Sequence, residues 1–168
     1  HQVAKAAMAH PEVDLITGNI MLIDAEDRPL RDLHYVRPTH NALVAEGMVL
    51  ANQAAFWRRS LHETLGYLDD RMTYSFDYKW FLRLLEGRKA FHVNRLWGGF
   101  RIHDQAKTSD PERMFAEENR RVLGGRRISR GFVYRHRLRR MLLLLLQGDF
   151  YYVLRGLARR MSGKDGLL

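Results

Sequence analysis

Cysteine is absent from this chain of 168 residues. That excludes a disulfide scaffold and any thiolate zinc site, and it fits a reducing compartment. Also missing is an apolar run of the roughly 18 residues that a membrane-spanning helix needs. The longest run, Met141 to Leu146, lies between arginines and Gln147. The opening His1-Gln2-Val3-Ala4-Lys5 has neither an initiator Met nor the basic-then-apolar pattern of a secretory signal, so the chain reads as a segment of a longer protein. There is no internal repeat, and low complexity is confined to the leucines at 142–146.

Acidic residues are scarce in one region only. Residues 1–112 carry 14 Lys and Arg against 15 Asp and Glu, whereas residues 113–168 carry 14 against 4. The net charge of +9 therefore belongs to the last third, which predicts a tail facing an anionic partner such as lipid head groups, phosphates or nucleic acid. With 46% hydrophobic and 28% charged residues, the chain has ordinary globular composition and is not disordered throughout.

The pattern alternates between helix and strand. Gln2 to Ala9 reads as a helix stopped by His10-Pro11. Val13 to Asp24 is rich in apolar and β-branched residues and reads as a strand, with a polar turn at 25–29. Residues 30–46 give no assignment. Met48 to Trp57 reads as extended, and Ser60-Leu61-His62-Glu63 matches a capping box at the start of a short helix that Gly66 would end.

Phe76, Trp80 and Leu84 recur at i, i+4 and i+8, which predicts a helix over 76–86 with Ser75 as N-cap and Gly87 as stop. Ala90 to Asn94 and Trp97 to His103 read as two short strands. Asp110-Pro111 opens a helix reaching about Gly124-Gly125. Tyr134, Leu138, Met141, Leu142 and Leu145 trace an apolar stripe on a basic helix, and Phe150 to Arg160 reads as another. Interleaved strands and helices imply an α/β layered fold over residues 1–112, followed by a basic helical tail over 113–168.

Three groupings bear on chemistry. Asp77 falls in the first turn of its helix, where the helix N-terminus favours a carboxylate. It either caps that helix or accepts a proton from a bound hydroxyl. Arg101 and His103 share a strand face, with Lys107 and Thr108 in the following loop. They form either an ordinary strand edge or a site for a phosphate or diphosphate, with His103 as an alternative metal ligand. Asn52 and Gln53 precede Phe56-Trp57, a combination found in sugar pockets and in plain turns alike. Asp24, Glu26 and Asp27 are better explained by a hairpin turn than by a cation site.

Taken in order, PEVDLITGNIMLID, NQAAFWRRSLHETLGYLDD, FDYKWFLRLLEGRKAFHV and GGFRIHDQAKTS resemble the second half of family-2 glycosyltransferases with the GT-A (Rossmann-like) fold, which build bacterial surface polysaccharides. The resemblance covers about residues 1–112. It implies an inverting transfer of a sugar from a nucleotide-diphosphate donor to an acceptor hydroxyl, in polysaccharide or glycolipid synthesis. Asp77 takes the position of the general base. Trp80 and Arg83 match the rest of that helix motif on the acceptor side. Arg101 and His103 match an element that closes over the diphosphate and its metal, and Asn52 and Gln53 match a segment under the acceptor pocket. The family's second helix carboxylate is Lys79 here, and the residue before the base is Phe76.

The same resemblance puts the nucleotide-binding strands and the Asp-X-Asp motif for Mn²⁺ or Mg²⁺ N-terminal to His1. The divalent cation is thus expected to be held mostly by residues outside this chain, which by itself is expected to be an incomplete catalyst. Lipid-linked acceptors are common in the family, so a cytoplasmic location, peripheral at the inner face of the membrane, follows as an expectation. The tail is expected either to pack its apolar stripe on the α/β part or as a dimer helix, or to lie on an anionic membrane. Two other readings compete with the transferase. One is a non-catalytic remnant or regulatory module. The other is a basic nucleic-acid-binding module, for which no recognition motif is present.

Overall fold

The computed structural model describes residues 1–102 and 111–162, and for 111–114 the backbone only. Among the described residues the protein is a mixed α/β structure, with a four-stranded mixed sheet and seven α-helices. Strand β1 (Leu15–Ile23) is the centre of the sheet. It pairs in parallel with β4 (Ala90–Arg101) from Leu15↔Ala90 to Ile23↔Arg101. Along its other edge it pairs antiparallel with two short strands, β3 (Ala55–Trp57) at its start and β2 (Pro29–Leu33) at its end.

β1 is buried on both faces, which is why it reads as an unbroken apolar run rather than an alternating one. Helices α1 (Gln2–Ala9), α2 (His40–Glu46), α3 (Leu61–Leu65) and α4 (Phe76–Leu85) belong to this unit. Then follow α5 (Pro111–Val122), α6 (Arg130–Leu146) and α7 (Phe150–Met161).

The main core gathers Leu15 of β1, Leu43 of α2, Leu50, and Trp80, Phe81, Leu84 and Leu85 of α4. Full burial of each such side chain contributes about 1.5–3 kcal/mol. A second cluster places Ile20 and Leu22 against Ala51 and Ala54, flanked by Trp97 and Ile102. Here the backbones approach closely. A Cβ on Gly98 would lie 2.6 Å from the Gln53 carbonyl oxygen, and one on Gly18 would lie 2.8 Å from the Trp97 ring, so only glycine fits at either place.

Four local expectations are revised. Residues 30–46, unassigned from sequence, hold β2 and α2. Helix α2 starts at Thr39, whose hydroxyl accepts the Ala42 N–H at 3.2 Å. The extended segment 48–57 contracts to β3, preceded by a 3₁₀ turn at Asn52–Ala54. The two strands read over 90–103 are a single β4, whose register against β1 slips around Asn19; the slip is what interrupts the sequence pattern. Ser60 has helical backbone angles and makes no side-chain cap, so the capping box does not form.

A buried polar seam crosses the face of the sheet beneath the tail. The Thr17 hydroxyl meets His92 Nδ1 at 3.0 Å, and Asn19 Nδ2 donates to Asn94 Oδ1 at 2.7 Å. Asn94 Nδ2 donates in turn to the Asp149 carboxylate at 3.2 Å. His34 bridges Asp149 (2.9 Å) and Asp32 (2.7 Å) and stacks on Tyr152. On the tail's other side α6 packs on α2, with Arg140 paired to the buried Glu46 at 3.0 Å.

Candidate functional site

The start of α4 is held by a residue far away in sequence. Ser75, read as the N-cap, makes no cap with its side chain. Instead the Glu118 carboxylate of α5 accepts the N–H groups of Thr73 (3.3 Å), Tyr74 (3.0 Å) and Ser75 (2.7 Å). Burial raises the Glu118 pKa, but those three amides outweigh it and hold the carboxyl below its ordinary value. The stability this gives is present above the unfolded-chain value of 4.5 and is lost as pH falls through the lowered folded value. Glu118→Ala leaves three amides uncapped and is expected to cost about 1–2 kcal/mol, read as a lower midpoint in urea unfolding.

Two residues on, Asp77 is half-buried. Its Oδ1 accepts the Tyr78 N–H at 2.7 Å. Burial raises its pKa above 3.8, and the backbone bonds only partly oppose that; among the described residues no charged side chain enters the balance. The arrangement yields a carboxylate with increased proton affinity at a helix N-terminus, the properties a general base requires.

Lys79 and Arg83 lie further along α4. Lys79 Nζ binds Asp69 Oδ2 at 2.7 Å, and with Arg71 it drives the Asp69 carboxyl down to about 2. The Lys79 charge is therefore committed to the loop before α4. Arg83 donates to the Tyr67 carbonyl at 2.7 Å and lies over the Trp80 ring, 5.3 Å from its centroid.

Trp80 has no exposed surface. It stacks on His62 at 4.6 Å, and His62 stacks on Tyr67 at 5.0 Å, where the chain returns to solvent. His62 Nε2 accepts the Trp57 Nε1–H, so Nδ1 carries the proton donated to the Gly66 carbonyl. Trp80, expected to shape the acceptor side, is fully covered, so it would do so only through the residues of this stack. Tyr67 and His62, which sequence reasoning left out, are its outer members. The interleaved aromatics of 57–67 are the one signal that pointed to them.

Asn52 and Gln53 are exposed on the 3₁₀ turn, and the Gln53 backbone abuts Gly98. Arg101 differs from expectation. Its guanidinium donates to Asp27 Oδ1 at 2.6 Å and to the carbonyls of Ala25 (2.9 Å) and Asp24 (3.3 Å), so it clamps the β1–β2 turn rather than standing open to a phosphate. Asp24 accepts the N–H groups of Glu26 and Arg28, in line with a hairpin turn. His103 and Lys107 lie outside the described residues. Among the described residues no group of three His, Asp or Glu side chains is disposed to hold a metal ion, and Asp69, Asp24 and Asp27 are each engaged with arginine or lysine.

No protein-family model and no curated relative matches the chain. Among the described residues no helix is long and apolar enough to cross a membrane.

Proposed function

We propose that residues 1–112 form the acceptor-side half of a family-2 glycosyltransferase of GT-A fold, with Asp77 as general base. The observation that carries this reading is the Asp77 carboxylate: half-buried, raised in pKa, without a cationic partner among the described residues, at the start of α4. Asp77 takes the proton of the acceptor hydroxyl as its oxygen bonds to the anomeric carbon. The bond from that carbon to the donor diphosphate breaks on the opposite face, and the nucleoside diphosphate leaves with the electron pair. In this reading Tyr67 and Arg83, hydrogen-bonded to each other, and the exposed amides of Asn52 and Gln53 serve the saccharide or lipid-linked acceptor. The described residues do not fit a divalent cation, so no step here passes through one; Mn²⁺ or Mg²⁺ would be held by the donor-binding half. The proposed setting is the cytoplasmic face of the cell membrane.

Arg101 supports a second reading. Its commitment to Asp27 favours a non-catalytic remnant or regulatory module. One assay decides between the two. The full-length polypeptide is incubated with nucleoside-diphosphate sugars and saccharide or lipid-linked acceptors. The transferase reading expects acceptor-dependent release of the nucleoside diphosphate and an inverted anomeric centre. Absence of release with every donor overturns it.

A further inference from the structure

The tail does not bury the stripe that its sequence suggests. Tyr134, Leu138 and Leu142 are exposed, and α6 buries only His136 and Leu144. The i, i+4 series 134, 138, 142 ends in Leu146, which is 82% exposed. On α7, joined to α6 through Gln147-Gly148-Asp149, a matching series runs Phe150, Leu154, Leu157, Met161, and it too is open to solvent.

Beside these stripes lies a groove of about 450 Å³ between β2, α6 and α7. Arg31, Arg137, Arg140, Arg155, Arg159 and Arg160 line it, and no acidic residue does. Leu33, Met141 and Val153 supply apolar lining. Arg140 is paired with Glu46 and Arg155 with Asp32. Arg137 and Arg160 have no acidic partner among the described residues. The groove's positive charges oppose one another: Arg31 is pulled below its ordinary value by burial and then by Arg159 and Arg155. Asp149, the only acid between residues 129 and 162, is used by Asn94 and His34.

We propose that the α6–α7 hairpin is a docking surface for an anionic phospholipid bilayer. The arginine groove receives a lipid phosphate, and the two apolar stripes enter the boundary between head groups and acyl chains. Charge complementarity selects this occupant. A second copy would bring arginine against arginine. A nucleic acid would satisfy the arginines but offer no apolar phase to Leu146, Leu154 and Met161. The inference stands on the groove and the stripes and does not rest on the transferase reading.

The test is flotation of the whole chain with vesicles of phosphatidylglycerol and phosphatidylcholine in equal parts, against phosphatidylcholine alone. Binding to the first and not to the second is expected, weakening as salt is raised. The exposed pair Arg137→Gln and Arg160→Gln together should weaken it roughly 10- to 30-fold. Leu146→Ser with Leu154→Ser should weaken it without changing the salt dependence. Circular dichroism of both variants should match that of the parent. Equal affinity for neutral vesicles, unchanged affinity in the arginine variant, tighter binding to a DNA duplex, or a dimer that protects the stripes each overturns the proposal.

Discussion

Asp77→Asn is expected to lower sugar transfer about 10²- to 10⁴-fold while leaving donor affinity nearly intact. The amide has the shape of the carboxyl and its oxygen still accepts the Tyr78 N–H, so the start of α4 is preserved. What is lost is the site that takes the proton. A purely capping Asp77 behaves otherwise: the substitution then moves stability and leaves turnover alone. Stability itself carries a second signature. The folded protein holds the Asp77 proton more tightly than the unfolded chain does, because burial raises this pKa above 3.8. The wild type is therefore most favoured, as far as this group goes, below 3.8, and loses that advantage as pH rises through the raised value. Asparagine escapes the penalty, so at neutral pH the variant should melt no lower than the wild type. If Asp77 is the base it must be ionised, so the rate is expected to fall on the acid side at a pH shifted upward from the ordinary aspartate value, because burial raises this pKa. Initial rates of nucleoside diphosphate release, calorimetric titration with the donor and thermal melts measure the three quantities. Undiminished turnover removes Asp77 from the role of base.

Trp80→Ala is expected to cost about 3–5 kcal/mol, a large share of the about 5–15 kcal/mol that stabilises a whole domain. The indole has no exposed surface and packs against the rings of Trp57 and His62, so its removal leaves a cavity beside them. Its Nε1–H finds no acceptor among the described residues. Trp80→Phe therefore forfeits no hydrogen bond and should cost less than alanine, with the loss confined to packing. Urea unfolding followed by circular dichroism separates the two. Similar midpoints for alanine and phenylalanine would place the stabilising contribution elsewhere.

The parts legible in sequence are those fixed by neighbours in the chain. β1 announces itself because both of its faces are covered, and α4 because Phe76, Trp80 and Leu84 repeat at helical spacing. α2 escaped notice because it is short, carries no charge pattern at its start, and depends on Thr39 for its cap. The misread features come from distant partners. Glu118 holds the turn before α4 from 43 residues away while Ser75 makes no cap, and Asp27 claims Arg101 from 74 residues away. The tail stripe was visible as a periodicity, but periodicity does not say whether an apolar face meets protein or something else. The candidate base and its helix position could be read directly; the aromatic stack behind them could not, because it folds 57–67 back onto α4.

The polar seam under the tail has a mechanical consequence. Lifting the α6–α7 turn off the sheet takes Asp149 from Asn94, and so disturbs the amide that Asn94 shares with Asn19 in the middle strand. Breaking these bonds costs free energy, which opposes swinging of the basic tail as a tethered arm. A pull on the hairpin is passed through Asp149 and Asn94 to the strand in the centre of the sheet, so the two parts, so different in charge, are joined mechanically as well as by the chain.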